Sequence, residues 1–208
     1  NSRVEGLNGL SIQANGTVNI YDDAVIYNEN TYAMTSSCGQ INIYGGTVQS
    51  TITDAVTLTY SNTCGVGKYN MTDGTVIGKN NGVVEGYQGN ILTMSGGHII
   101  GEENNGINSK GTTTITGGVV EGNVYGLYVN GGTTTIGDDE GSISIAEPVI
   151  KGELYGLYIT NPQQMTVNFF DGILKGQTFG HYNDVSNIPD RSNIIYGYET
   201  IEGVNYNT

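Results

Sequence analysis

GGVVEGN at 117–123 decides the fold, because the chain repeats it with variations. Before it stand GGTVQS at 45–50, DGTVIGK at 73–79 and GGHIIGE at 96–102; after it come EPVIKGE at 147–153 and DGILKGQ at 171–177. A degenerate copy, DDAVIY, sits at 22–27. The apolar centres fall on Val25, Val48, Val76, Ile99, Val120, Ile150 and Leu174, at spacings of 23, 28, 23, 21, 30 and 24. A period of 20–30 residues built of short β-rich runs and glycine turns is the signature of a solenoid coil.

Two further runs recur between the copies. One follows a small residue, as in Ala55-Val56-Thr57-Leu58, Gly126-Leu127-Tyr128-Val129 and Gly156-Leu157-Tyr158-Ile159. The other alternates, as in Ile41-Asn42-Ile43, Leu92-Thr93-Met94 and Val167-Asn168-Phe169. Period-two alternation sends the apolar members inward and Asn or Thr outward. Glycine at the corners allows the positive φ of sharp turns. Stacked coils then turn each run into a parallel sheet with strands about 4.8 Å apart. The expected fold is an all-β, right-handed parallel β-helix over 1–183, with seven to eight coils and three short strands per coil. Residues 184–208 read as a C-terminal cap, a strand hairpin around Glu202-Gly203.

Composition agrees. Only 13% of residues are charged and 33 of 208 are glycine, which suits neither a helical nor a disordered chain. The net charge is −13, without a basic stripe, so nucleic acid and anionic membranes are poor partners. No apolar run is long enough for a membrane-spanning helix. The chain begins at Asn1 without a signal-peptide pattern, which reads as a processed form or a segment of something longer.

This organisation resembles right-handed parallel β-helix proteins over nearly the whole chain. From TVNFFDGILKGQT to YETIEG it is similar to glycine-rich β-helix surface proteins of gut Firmicutes. That resemblance implies an exported bacterial protein.

Several constellations could carry function. Tyr128, Tyr158 and Tyr182 form one outward column, and Tyr125, Tyr155 and Phe179 a second near the corner. Such a strip suits sugar rings or a protein partner, while self-stacking that stabilises the coil competes. At another corner Glu147 aligns with Asp171, and the inserted Asp138, Asp139 and Glu140 enter beside them. Five carboxylates offer the oxygens Ca²⁺ takes, although a solvated acidic loop is the simpler explanation and no other cofactor is implied. Cys38 and Cys64 share a corner of successive coils, which predicts a disulfide and an oxidising setting.

Catalytic signals are few. The β-helix fold hosts polysaccharide lyases and glycoside hydrolases, but both arginines, Arg3 and Arg191, lie outside the repeats. Lys151 and Lys175 stack with no carboxylate cluster on their face. His98 lies outward between Thr75 and Val119 with no acid in its column, and His181 lies inward. The outward column Asn19, Asn42, Asn70, Thr93, Thr114, Thr135 and Asn168 invites an ice-binding reading, but TxT pairs occur only at Thr112/Thr114 and Thr133/Thr135. The expected function is a secreted or cell-surface, non-catalytic structural or filament component, or an adhesin. It would self-associate head to tail or be covered by upstream chain, and would bind glycan or a surface protein through the tyrosine strip. A carbohydrate-active enzyme is the alternative.

Overall fold

A computed structural model describes residues 2–13, 15–138, 147–160, 165–183 and 194–196. Among them there is no helix, and so none able to cross a membrane. Parallel strands stack into a β-solenoid of about seven turns.

The run that follows a small residue forms an eight-stranded parallel sheet, from Leu10–Ile12 through Val56–Leu58 and Tyr125–Val129 to Phe179–Asn183. The other two runs share a twelve-stranded sheet. In four central coils they fuse into single eleven-residue strands: Gln40–Ser50, Lys68–Gly78, Ile91–Gly101 and Thr112–Gly122. Each bends at a glycine of positive φ, namely Gly46, Gly74, Gly97 and Gly118. Pairing with the next coil resumes after a break of at most three residues. Further along, the runs separate into Gly132–Ile136 and Val149–Gly152, and into Met165–Phe169 and Ile173–Gly176.

Register follows the repeated phrase. Val48, Val76, Ile99, Val120, Ile150 and Leu174 face their successors one coil on. All are at most 1% exposed, so one residue per coil anchors this wall in the core. The first copy is shifted: Ile26, not Val25, pairs with Val48, and Val25 pairs with Thr47. A one-residue slip exchanges the faces of a strand, and Ile26 accordingly is the buried member.

Cys38 and Cys64 are bonded, with Cα atoms 5.4 Å apart. The bond ties one coil to the corner excursion of the next, where Tyr60–Ser61 and Gly65–Val66 form a small antiparallel hairpin. The cap assigned to 184–208 lies outside the described residues apart from the strand Ile194–Tyr196, which pairs with Met165–Phe169.

Candidate binding face and its ladders

Two side-chain ladders occupy the corner that leads into the eight-stranded sheet. The first is polar. Asp54 Oδ1 accepts from the Asn81 backbone N–H at 3.0 Å and from Asn81 Nδ2 at 2.7 Å. One coil on, Asn81 Oδ1 accepts from the Asn105 N–H at 3.1 Å and from Asn105 Nδ2 at 2.9 Å. Both asparagines are buried, so these amides satisfy corner N–H groups that water cannot reach. The sequence carries the signal, an Asn or Asp just before the small residue of three successive runs (Asp54-Ala55, Asn81-Gly82, Asn105-Gly106).

From the next coil onward the same corner position is aromatic. Tyr125, Tyr155 and Phe179 are in register, as are Tyr128, Tyr158 and Tyr182. The two columns interleave: Tyr125 stacks on Tyr158 at 4.4 Å and Tyr155 on Tyr182 at 4.8 Å between ring centroids. The planes lie nearly parallel, within 4° and 10° in those pairs. Ring faces are therefore largely spent on each other, and the tyrosines are half-buried. What this strip offers a partner is ring edges and phenol tips.

Beside the aromatic corner runs a groove of about 240 Å³ that crosses three coils. Gly122, Gly152 and Gly176 stack in register to make a smooth floor. The tight turn demands glycine there: a Cβ on Gly122 would come within 1.9 Å of the Tyr125 carbonyl oxygen, and one on Gly176 within 2.1 Å of that of Phe179. One wall is the register column Glu121, Lys151 and Lys175. The other is Glu153 with Gln177, whose Nε2 donates to the carboxylate.

Glu121 is the hub of the first wall. Its Oε2 lies 2.8 Å from Lys151 Nζ and 3.2 Å from His98 Nε2. Partial burial pushes its pKa up, but Lys151 and His98 more than offset this and hold it below the ordinary carboxylate value. His98 does sit between Thr75 and Val119 as expected. Its acid comes from two residues past Val119 on the neighbouring strand, a diagonal contact that a reading straight across the column overlooks. Lys79 meets Glu102 at 3.5 Å and Glu103 at 3.2 Å on the same outward face.

The remaining expectations divide. The polar column from Asn19 to Asn168 is in register throughout. The column beside it runs Thr17, Gln40, Lys68, Ile91, Thr112, Thr133, Thr166, so paired threonines are confined to two coils. His181 is buried opposite Leu157. Asp139 and Glu140 lie outside the described residues. Of their companions, Asp171 is buried, Asp138 is exposed, and Glu147 accepts from the Gly118 N–H at 3.4 Å. Among the described residues no three acids, cysteines or histidines gather as a metal site.

One interior acid was unforeseen. Glu85 points inward, 1% exposed. Its Oε2 accepts from the Thr113 hydroxyl at 2.6 Å and from the backbone N–H groups of Gly111 and Lys110 at 3.2 and 3.3 Å, while Oε1 has no hydrogen-bond partner among the described residues. Burial raises its pKa, and these hydrogen bonds only partly counter the rise.

No protein-family model, no curated protein and no solved structure matches this chain.

Proposed function

We propose that the chain is an extracellular, non-catalytic β-solenoid, a cell-surface structural component or adhesin that holds its ligand along one outer face. The observation that carries this reading is the alignment of the glycine-floored groove with the aromatic corner over the same three coils. Stacking repeats that binding surface without interruption, as an extended polymer ligand requires. Lys151 and His98 hold the Glu121 carboxyl below its ordinary pKa, which suits it to accept hydrogen bonds from a ligand and not to donate a proton. The disulfide suits an oxidising compartment.

Self-association belongs to the proposal. Arg3–Glu5 and Leu10–Ile12 are the outer strands at one end of their sheets among the described residues, and Val4 and Leu7 are exposed there. A strand edge with apolar side chains accepts another strand, supplied either by upstream chain or by an identical subunit, and head-to-tail addition of identical subunits propagates as a filament.

Incubation of the purified protein with a panel of cell-wall polysaccharides and surface proteins tests the reading. Retention on at least one of them without new reducing ends is expected. Release of oligosaccharides would overturn it in favour of a carbohydrate-active enzyme.

A further inference from the structure

We infer that the groove floored by Gly122, Gly152 and Gly176 takes a neutral, linear glycan laid along the solenoid axis, one sugar ring per coil. This rests on the proposal of a ligand-binding outer face and specifies what lies in it.

The first ground is pitch. The groove walls repeat once per coil, at the strand spacing of about 4.8 Å. Pyranose rings in a β-1,4-linked chain advance by nearly this distance per ring, so successive rings keep step with successive coils. An extended peptide advances about 3.3 Å per residue and falls out of step within two coils. A peptide could instead add as a strand, but that needs an open sheet edge. At the groove Thr112–Gly122 and Val149–Gly152 are paired on both sides, and Ile173–Gly176 is paired with Val149–Gly152; a strand added at its other edge would lie past the three coils, not along the floor.

Charge is the second ground. The lining holds two lysines, Lys151 and Lys175, and two glutamates, Glu121 and Glu153, so the groove is locally balanced. A polyanion would meet both carboxylates and the field of a chain at −13; a polycation would meet both lysines. Hydroxyl groups donate and accept. They match walls that mix acceptors and donors, Glu121 with Lys151 and Lys175 on one side and Glu153 with Gln177 on the other.

The third ground is the lip. Three residues beyond the floor stand Tyr125, Tyr155 and Phe179 in the same register. With their faces stacked, the rings present edges, and the two tyrosines add phenol hydroxyls. These contact the rim of a sugar ring and its hydroxyls. The ladder also keeps the lip rigid, which lowers the ordering cost of binding.

The test is calorimetric titration with neutral β-1,4-linked oligosaccharides of increasing length, beside polygalacturonate, heparin and an unrelated extended peptide. Affinity should rise with each added sugar up to about three units, one per coil, and change little with salt, since no counterion release is involved. The exposed pair Lys175→Ala with Gln177→Ala should weaken binding at least about tenfold at unchanged melting temperature, whereas Lys79→Ala should not weaken it. Salt-sensitive preference for polygalacturonate or heparin would overturn the inference. So would neutral-glycan binding that survives the double substitution, or adhesion confined to protein ligands. Those last results leave the surface-binding proposal standing, while release of reducing ends would sink that proposal alone.

Discussion

Asn105 and Tyr125 hold the same corner of successive coils, and the side-chain ladder changes character between them. Asn105 donates back to Asn81, but its own Oδ1 is buried without a hydrogen-bond partner among the described residues, because the next coil presents a ring, not an amide. Asn81→Ala should cost about 2 kcal/mol, since it strands the buried Asn105 N–H. Tyr125→Ala should cost roughly 1–3 kcal/mol through lost stacking on Tyr158. Tyr125→Asn should be milder than Tyr125→Ala, because an amide can donate to Asn105 Oδ1. Urea unfolding of the three variants decides. Equal losses for Ala and Asn at 125 would show that the orphaned oxygen costs nothing.

Glu85 sets a pH dependence. Its folded-state pKa is raised above the ordinary 4.5, so the stability it contributes is present below that value and fades as pH climbs through the raised one. Above that raised pKa the buried, ionised group is a liability. Glu85→Gln keeps an acceptor for Thr113 and removes the charge. It should melt higher than the parent at neutral and mildly alkaline pH, with the difference closing below the ordinary carboxylate range. Melting curves of equal spacing at every pH would refute the assignment.

Glu121 runs the opposite way. Its pKa is depressed, so its contribution is present above the ordinary carboxylate range and is lost as pH falls through the lowered value. Lys151→Ala should move the Glu121 carboxyl resonance to a higher titration midpoint by NMR. The melting temperature should hardly change, because an exposed pair contributes about 0–1 kcal/mol. An unmoved midpoint would mean that the Lys151 contact is not populated in solution.

Reduction of the Cys38–Cys64 bond should remove about 3.5 kcal/mol in the chain-entropy picture, given a separation of 26 residues. The serine double variant should match the reduced protein. If oxidised and reduced forms unfold at the same denaturant concentration, the tethered hairpin must already be ordered by its own contacts.

Much of this architecture was legible because repetition fixes register. Once Val76, Ile99 and Val120 align, the partners of Tyr128 and the pairing of Cys38 with Cys64 follow from counting. The misses have local causes. Val25 aligns with Val48 in the sequence because the first copy lacks the glycine that marks the bend in Gln40–Ser50, Lys68–Gly78, Ile91–Gly101 and Thr112–Gly122, and only backbone pairing shows that Ile26 is the inward residue. The fused eleven-residue strands were read as separate runs, since Gly117-Gly118 looks like a break yet carries the ladder round a bend. Alternation in Val83-Val84-Glu85 does place Glu85 inside; its charge argues against that until Thr113 and the Gly111 N–H are found facing it.

Gly65 and Gly118 separate two costs that glycine conceals. Both have positive φ, at 104° and 82°. A Cβ on Gly65 would meet nothing within 4 Å, so Gly65→Ala should cost only the left-handed backbone strain, about 1–2 kcal/mol. On Gly118 it would lie 2.6 Å from the Gly97 carbonyl oxygen and 2.7 Å from the Gly96 carbonyl carbon. Those atoms belong to the previous coil and cannot retreat without spreading the stack, so Gly118→Ala should cost about 3–4 kcal/mol. Gly97→Ala should fall between: its nearest atom is the mobile Met71 Cε at 2.4 Å, but the Gly74 carbonyl oxygen follows at 2.9 Å. Chemical denaturation of the three variants gives the order. Gly65→Ala as damaging as Gly118→Ala would place the whole cost in φ, and the bend in each eleven-residue strand would then owe nothing to close packing between coils.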